Sequence, residues 1–314
     1  MFQLFLSKFK LKHFLGGLAL LVSLVWLAVL SFPDQKLHLI FCNVGQGDAI
    51  LIEKGFNQIL IDGGPDKKVL DCLSNNLPFW DRTIEAVALT HPQADHLSGL
   101  EYVIDRYSVR YFLAGMEGNE SSGYTKFLEK IKQKPKIKVI NPFTGEKFNI
   151  GGIELTSVWP QKEWVAQHIE AGSGKLEAGN ISPLTSESSL ALPSSHFVLG
   201  ASTTTDLNNF SLVFLLNYGG KKVLLPGDAD AGIQDEILLS NATLNKIDIL
   251  KVPHHGAKTS LRDDFLEKIM PKVAVISVGK NSYGHPSGEL IKKMEDLGIQ
   301  VRRTDLEGEI KFEF

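Results

Sequence analysis

The segment LTHPQADHLSGL, residues 89–100, sets His91, Asp95 and His96 within six residues, directly after an apolar run. Imidazole and carboxylate together are the donor types that suit Zn, Mn or Fe. Other ionisable residues end other apolar runs: Asp62 in LIDGG, Asp228 in VLLPGD, His254 and His255 in ILKVPHHG, and His285 in VISVGKNSYGHP. Five of the nine histidines fall in these loops, which scattered placement does not produce. A single strand-end histidine reads as a hydrogen-bonded structural residue, and DGG and PGD are ordinary turn chemistry. The set reads differently. Ligands arriving from several strand ends describe a catalytic metal site with open positions, and the absence of any Cys pair at finger spacing argues against a structural zinc.

Rigid elements must deliver these loops. LHLIF (37–41), AILIE (49–53) and QILID (58–62), separated by NVGQGD and KGFN, read as a strand meander. From residue 66 the pattern turns to helix, then strand IEAVALT (84–90), helix 97–106 and strand VRYFLA (109–114), as in a sheet covered by helices. Further strands are expected near 137–140 and 153–158. Residues 161–207, rich in Ser, Thr, Gly and Ala, break the periodicity; a loop this long is functional or disordered. Strands at 211–218, 221–228, 246–252, 273–279 and 299–303 then alternate with helices at 231–239, 261–269 and 287–297. The chain reads as two β-then-α/β halves joined through the irregular segment, without short tandem repeats.

Composition narrows the class. At 314 residues, 43% hydrophobic and 22% charged, the chain is long and apolar enough for a sizeable core. Residues 14–32, FLGGLALLVSLVWLAVLSF, carry no charge and match the length that spans the hydrocarbon layer as a helix. Lys8, Lys10 and Lys12 precede them, so the positive-inside rule leaves residues 1–13 in the cytoplasm and 34–314 outside, a single-pass protein of the cell membrane. A cleaved signal peptide is the alternative; the run exceeds a usual h-region and no clear A-x-A-like site follows. Without those three lysines, 30 basic residues face 36 acidic ones, a formal charge of −6, which is not the footprint of bulk-charge binding to nucleic acid. Cys42, in a strand, and Cys72, in a predicted helix, read as buried thiols, although oxidising surroundings would permit a bridge.

The motif THPQADH resembles the HxHxDH motif of the metallo-β-lactamase fold. NVGQGDAILI, ILIDGG, HPQADHLSG, NNFSLVFLL, LLPGD, KVPHHGAKTS and VISVGKNSYGHPS follow in an order similar to the extracytoplasmic domain of ComEC, the DNA-uptake channel protein of competent bacteria, and its stand-alone relatives. The resemblance covers about residues 37–290. It implies an α/β fold of four layers, αβ/βα, behind one transmembrane helix. It implies one or two divalent metal ions, Zn or Mn: one held by Asp95, His96 and His285, with Asp228 bridging to a second near His91. Asp62 would orient the histidines, and His254 or His255 would donate to the substrate or leaving group.

Several positions depart from the family pattern. Gln93 stands where the general motif has His and the ComEC-like pattern commonly Asp, and NNFS, with Asn208, Asn209 and Ser211, stands where a third histidine is usual. The His91 side therefore loses nitrogen donors. Asn43 for Asp, Pro226 for Thr and Ala257 for Ser are milder departures. Asp48, Asn209, Ser211 and Lys258 are read as substrate-side groups, with Gly45 and Gly47 either turning the chain or serving a phosphate, and Lys251, Lys258, Arg262 and Lys280 either contacting phosphates or forming ordinary solvated surface. The reading is a membrane-anchored, extracytoplasmic metal-dependent phosphodiesterase or nuclease acting on DNA, working with a separate permease. The alternatives are a hydrolase of a lactone, lactam or nucleotide, or a weakly active relative that binds DNA or envelope components.

Overall fold

The computed structural model describes residues 2–30, 32–170, 173, 176–177, 197–241 and 244–314. Helix α1 (Phe2–Leu30) precedes β1 (Leu37–Phe41), β2 (Ile50–Lys54) and β3 (Asn57–Ile61). In β1, Leu37, Leu39 and Phe41 enter one core and Ile40 another; in β2 and β3, Leu51 and Leu60 oppose their apolar neighbours in the same way. These strands are buried on both faces, which is why they read as continuous apolar runs. There follow α2 (Lys68–Asn76), β4 (Thr83–Leu89), α3 (Ala94–Arg106), β5 (Ser108–Ala114), α4 (Ser122–Lys132) and β6 (Lys138–Ile140). The second half holds β7 (Lys147–Ile150), β8 (Ile153–Trp159), α5 (Lys162–His168), the two-residue strands β9 (Leu176–Glu177) and β10 (Val198–Leu199), β11 (Val213–Tyr218) and β12 (Lys221–Leu225). It closes with α6 (Gln234–Ser240), β13 (Ile249–Lys251), α7 (Asp263–Ile269), β14 (Val273–Ile276), α8 (Gly288–Asp296), β15 (Gln300–Arg303), α9 (Thr304–Glu307) and β16 (Ile310–Glu313).

Two seven-stranded sheets form, ordered β16-β1-β2-β3-β4-β5-β6 and β15-β14-β13-β12-β11-β8-β7. Pairing is parallel from β3 to β6 and from β12 to β15, and antiparallel elsewhere. Three apolar layers bind the whole: α2, α3 and α4 against the first sheet, sheet against sheet, and α6, α7 and α8 against the second. This is an αβ/βα sandwich of four layers, the architecture that the motif resemblance implies.

The halves do not join where the sequence pattern breaks. β8 already belongs to the second sheet, so the crossing falls between Ile140 and Lys147, and the irregular 161–207 segment lies inside the second half, between β8 and β11. Most of 171–196 lies outside the described residues. Strands β7 and β16 escaped the pattern reading because KFNI and IKFE each place charged or polar residues in a four-residue run. β16 returns to pair antiparallel with β1, tying the end of the second half to the first sheet.

The reading of Cys42 and Cys72 as thiols is corrected: they form a disulfide, with Cα atoms 5.8 Å apart, inside the range such a bridge spans. Cys42 follows β1 on the side that α2 covers, and both residues lie in the same core layer. A strand and its covering helix are what bring the two together.

Helix α1 starts well before residue 14 and ends at Leu30, ahead of Pro33. Its described side chains, residues 11–27, are all exposed. Among the described residues no helix is long and apolar enough to cross a membrane.

Candidate metal centre

The site lies where the C-terminal ends of the parallel strands of both sheets meet. From the first sheet, β3 delivers Asp62 and β4 delivers Thr90 and His91, while α3 starts with Asp95 and His96 in its first turn. From the second, β12 leads to Asp228, β13 ends on Lys251 and continues to His254 and His255, and β14 leads to the turn carrying His285. Asp62, His254 and His255 adopt left-handed backbone, φ 60°, 49° and 51°; with Lys246 and Met270 they are the non-glycine positive-φ residues among those described. Such strain persists only where surrounding structure holds it.

Close approach shapes the first turn. A Cβ at Gly47 would lie 2.3 Å from the Asp95 carbonyl oxygen, and one at Gly99 would lie 1.8 Å from that of Gly63. The glycines of GQG and DGG therefore let the β1–β2 and β3–α2 loops press against α3.

Asp62 organises the histidines. Its Oδ1 accepts the Thr90 backbone N–H at 2.7 Å, and its Oδ2 accepts the Thr90 hydroxyl at 2.7 Å and faces His96 Nδ1 at 2.8 Å. The Thr90 hydroxyl lies 3.1 Å from His91 Nδ1. In the tautomer with Nδ1–H donating in both rings, each Nε2 keeps a lone pair for a metal ion. Neither Nε2 has a hydrogen-bond partner although both are buried, and a ring nitrogen of each lies within 4.8 Å of the other and of an Asp228 oxygen. His96 Nε2 does face Asp228 Oδ2 at 3.3 Å, an ion-pair distance without hydrogen-bond alignment. Asp95, His96 and His255 form a second such group, sharing His96. This donor set fits a divalent ion, since two orphaned imidazole nitrogens and a carboxylate converge where water is excluded. His91, His96 and Asp228 would hold it, with Asp95 and His255 beside them, whereas the expected set was Asp95, His96 and His285 with His91 at the depleted side.

Burial pushes the His91 pKa down to about 3, so its ring is neutral and its Nε2 lone pair available. Burial alone would lower His96 as well, but the Asp228 and Asp62 carboxylates hold it well above the ordinary histidine range, so a metal ion at its Nε2 would take the place of a proton. Burial opposes ionisation of Asp228, yet His255, Lys251 and His96 keep it well below the usual carboxylate range.

Lys251 supplies the counter-charge. It is fully buried, lies 3.1 Å from Asp228 Oδ1 and forms a close ion pair with Asp48. Asp228 Oδ1 also accepts the His254 backbone N–H at 3.1 Å, and the Asp228 N–H donates to Ser211 Oγ at 3.2 Å. One oxygen of Asp228 is thus occupied from behind and the other faces the imidazoles.

These contacts move several expected roles. Asp48 is 1% exposed and spent on Lys251, so it does not face a substrate. Ser211 braces Asp228 rather than the cleft, and the Asn209 carbonyl accepts from Trp159 Nε1 at 2.8 Å. Lys251 is internal rather than surface, Arg262 pairs with Asp235 and Asp264, and Lys258 pairs with Glu289 at 2.8 Å away from the cleft lining. His255 is buried, its Nδ1 donating to the Ser277 carbonyl at 2.9 Å and its Nε2 turned to Asp95 Oδ2 at 3.3 Å and Asp228 Oδ2 at 3.5 Å, a ligand-like pose. His254 and His285 stand further out, their ring centroids 5.7 Å apart, lining a cleft of about 940 Å³ with Gln93, Asp95 and Lys280. Gln93 is the N-cap of α3 without a side-chain cap bond. The sequence reading missed Thr90, Asn119 and Tyr283; the two last line the same cleft.

Residues 42–183 match the Metallo-beta-lactamase superfamily. The chain is 38% identical over 109 residues to "ComE operon protein 3" of Bacillus subtilis, covering 34% of this chain and 14% of that protein. It is 26% identical over 304 residues to "Recombination protein 2" of Haemophilus influenzae, covering 95% of this chain and 31% of that protein. The chain thus spans about a third or less of the curated relatives it matches. Among solved structures, the metallo-beta-lactamase fold protein YhfI from Bacillus subtilis superposes with a TM-score of 0.51 at 12% identity, covering 89% of this chain and all of that one, a likeness of fold alone.

Proposed function

We propose that this chain, a metal-dependent hydrolase with a metallo-beta-lactamase domain, is a phosphodiesterase acting on DNA outside the cytoplasm and held to the membrane by its N-terminal helix. The single observation that carries the hydrolytic reading is the pair of buried, unpartnered Nε2 atoms of His91 and His96 converging with Asp228. A bound Zn or Mn ion would supply Lewis-acid polarisation and a lowered pKa for water. The chain's own residues do the rest. Asp62 and Thr90 fix both imidazoles, Lys251 and Ser211 fix Asp228, and the open face toward Gln93 and Asp95 leaves room for a substrate. His254, 32% exposed at its side chain and 3.7 Å from Asp230, stands at the mouth in reach of a leaving group to protonate.

The choice of DNA rests on the ordered ComEC-like motifs and on relatives named for a ComE operon and for recombination. The membrane reading rests on the uncharged run 14–32 and the lysines before it. A separate permease would complete an uptake role. Full-length protein in detergent, loaded with Zn or Mn, should cleave linear DNA and bis(p-nitrophenyl) phosphate, lose both activities in EDTA, and leave lactam and lactone substrates intact. Turnover of a lactam or lactone without a phosphodiester would overturn the substrate assignment. Protease added to spheroplasts should remove the domain, and full protection would contradict the orientation.

A further inference from the structure

The turn after β14 sets an aromatic ring where the site opens. Tyr283 is 75% exposed, yet the backbone that carries it is fixed by one side chain. Asn281 Oδ1 accepts the N–H groups of Tyr283 at 3.0 Å and His285 at 3.1 Å, and its Nδ2 donates to the carbonyls of Gly279 at 2.9 Å and His285 at 2.8 Å. A rigid turn thus holds a large ring in water. The ring lies 5.7 Å from that of His285, tilted by 35°, and His285 in turn stands 5.7 Å from His254. The three rings run inward from solvent to the metal centre. Lys280, exposed on the same cleft, has no ion-pair partner among the described residues.

We propose that Tyr283 is a stacking platform for one unpaired nucleobase and that Lys280 takes the adjoining phosphate, so that the cleft selects single-stranded nucleic acid. The inference rests on the phosphodiesterase reading and narrows its substrate. Every base has a π-face, so a fixed aromatic ring beside a cation accepts single strands irrespective of sequence. In a duplex the bases stack on one another, and the ring reaches one only after it has been extruded from the stack.

The test is binding in EDTA, where hydrolysis does not interfere, measured by fluorescence anisotropy on the full chain in detergent. Three labelled ligands of equal length are compared: oligo-dT, an abasic strand with the same phosphates, and a duplex. Oligo-dT should bind roughly ten-fold more tightly than the abasic strand, the worth of one stacked base. Tyr283→Ala should abolish that difference, Tyr283→Phe should keep it, and Lys280→Gln should weaken oligo-dT and abasic binding alike. Equal affinity of the natural protein for oligo-dT and the abasic strand, or a Tyr283→Ala protein that still discriminates, overturns the proposal, as does preference for the duplex. Hydrolysis of bis(p-nitrophenyl) phosphate, a diester without bases, separates the two levels: turnover without base discrimination leaves the phosphodiesterase and removes the platform, and discrimination without turnover does the reverse.

Discussion

The floor of the site and its mouth are built differently. At the floor, His91, His96, Asp228, Asp48 and Lys251 are buried, and the charged groups among them face opposite charges within a few ångströms. At the mouth, Gln93, Asp95, His254 and His285 are partly exposed, and His254 Nδ1 and His285 Nδ1 have no hydrogen-bond partner. An internal ammonium explains the contrast. Lys251 supplies one positive charge to the Asp48 and Asp228 carboxylates behind the ligands, whereas among the described residues no such buried cation stands at the mouth. The weak place is Gln93, which offers at best a neutral amide oxygen.

The largest expected effect breaks the floor. Lys251→Met leaves Asp48 and Asp228 buried without their cation and should cost about 3–5 kcal/mol of unfolding free energy in metal-free protein. Adding Asp48→Asn should return part of that loss. Denaturant unfolding of the two variants checks both statements, and a Lys251→Met protein no less stable than His285→Ala would erase the distinction between floor and mouth.

Next comes Asp95, at the boundary. Asp95→Asn keeps the shape but removes an anionic charge beside His96 and His255, so metal affinity should fall roughly ten- to a hundred-fold with the fold retained. Metal analysis after equilibrium dialysis, with circular dichroism as the fold control, reads this out.

Gln93→Asp sharpens the comparison from the other side, adding an anion where the mouth lacks one. Half-maximal activity should need less added Mn or Zn, by about ten-fold if the carboxylate becomes a ligand. Since position 93 is the uncapped N-terminus of α3, aspartate there should also stabilise the helix by about 1 kcal/mol. A gain in stability without a change in metal dependence would assign the whole effect to capping.

The last effect is read from a pH profile and concerns Glu117, a buried carboxyl whose Oε2 has no hydrogen-bond partner. Burial pushes its pKa up to about 8, the opposite of Asp48 and Asp228, which have Lys251. A raised acid favours the fold while protonated. Its contribution is full below the ordinary Glu value of 4.5 and is lost as pH rises through about 8. Glu117→Gln should match the natural protein's melting temperature near pH 5 and exceed it near pH 9; parallel pH profiles would contradict the assignment.

The sequence was legible where one strand carried its own chemistry. His91, Asp95 and His96 sit on adjacent elements, and Asp62, Asp228, His254 and His255 each end an apolar run, so pattern alone marked them. Roles that arise only when distant elements pack were hidden. Asp48 and Lys251 are 203 residues apart (251 minus 48), and only the meeting of the two sheets makes them a pair. Cys42 and Cys72 were misread for the same reason, because a helix laid over a strand is a tertiary fact. Tyr283 gave no signal at all: an exposed tyrosine in a turn looks like any other until the turn is seen to open on the cleft. The boundary between the halves was displaced because β7 and β8 follow the crossing so closely that the longer irregular stretch behind them looked like the joint.

The central claim is that the buried floor binds one divalent ion tightly while the Gln93 side does not bind a second with comparable strength. Metal bound per chain, measured on purified full-length protein titrated with Zn or Mn and on Asp228→Asn alongside, tests this most directly. The account predicts about one tightly held ion in the natural protein, lost in Asp228→Asn, with any second ion appearing only at excess metal. Two ions of equal affinity, or an Asp228→Asn protein that keeps its metal, would contradict it.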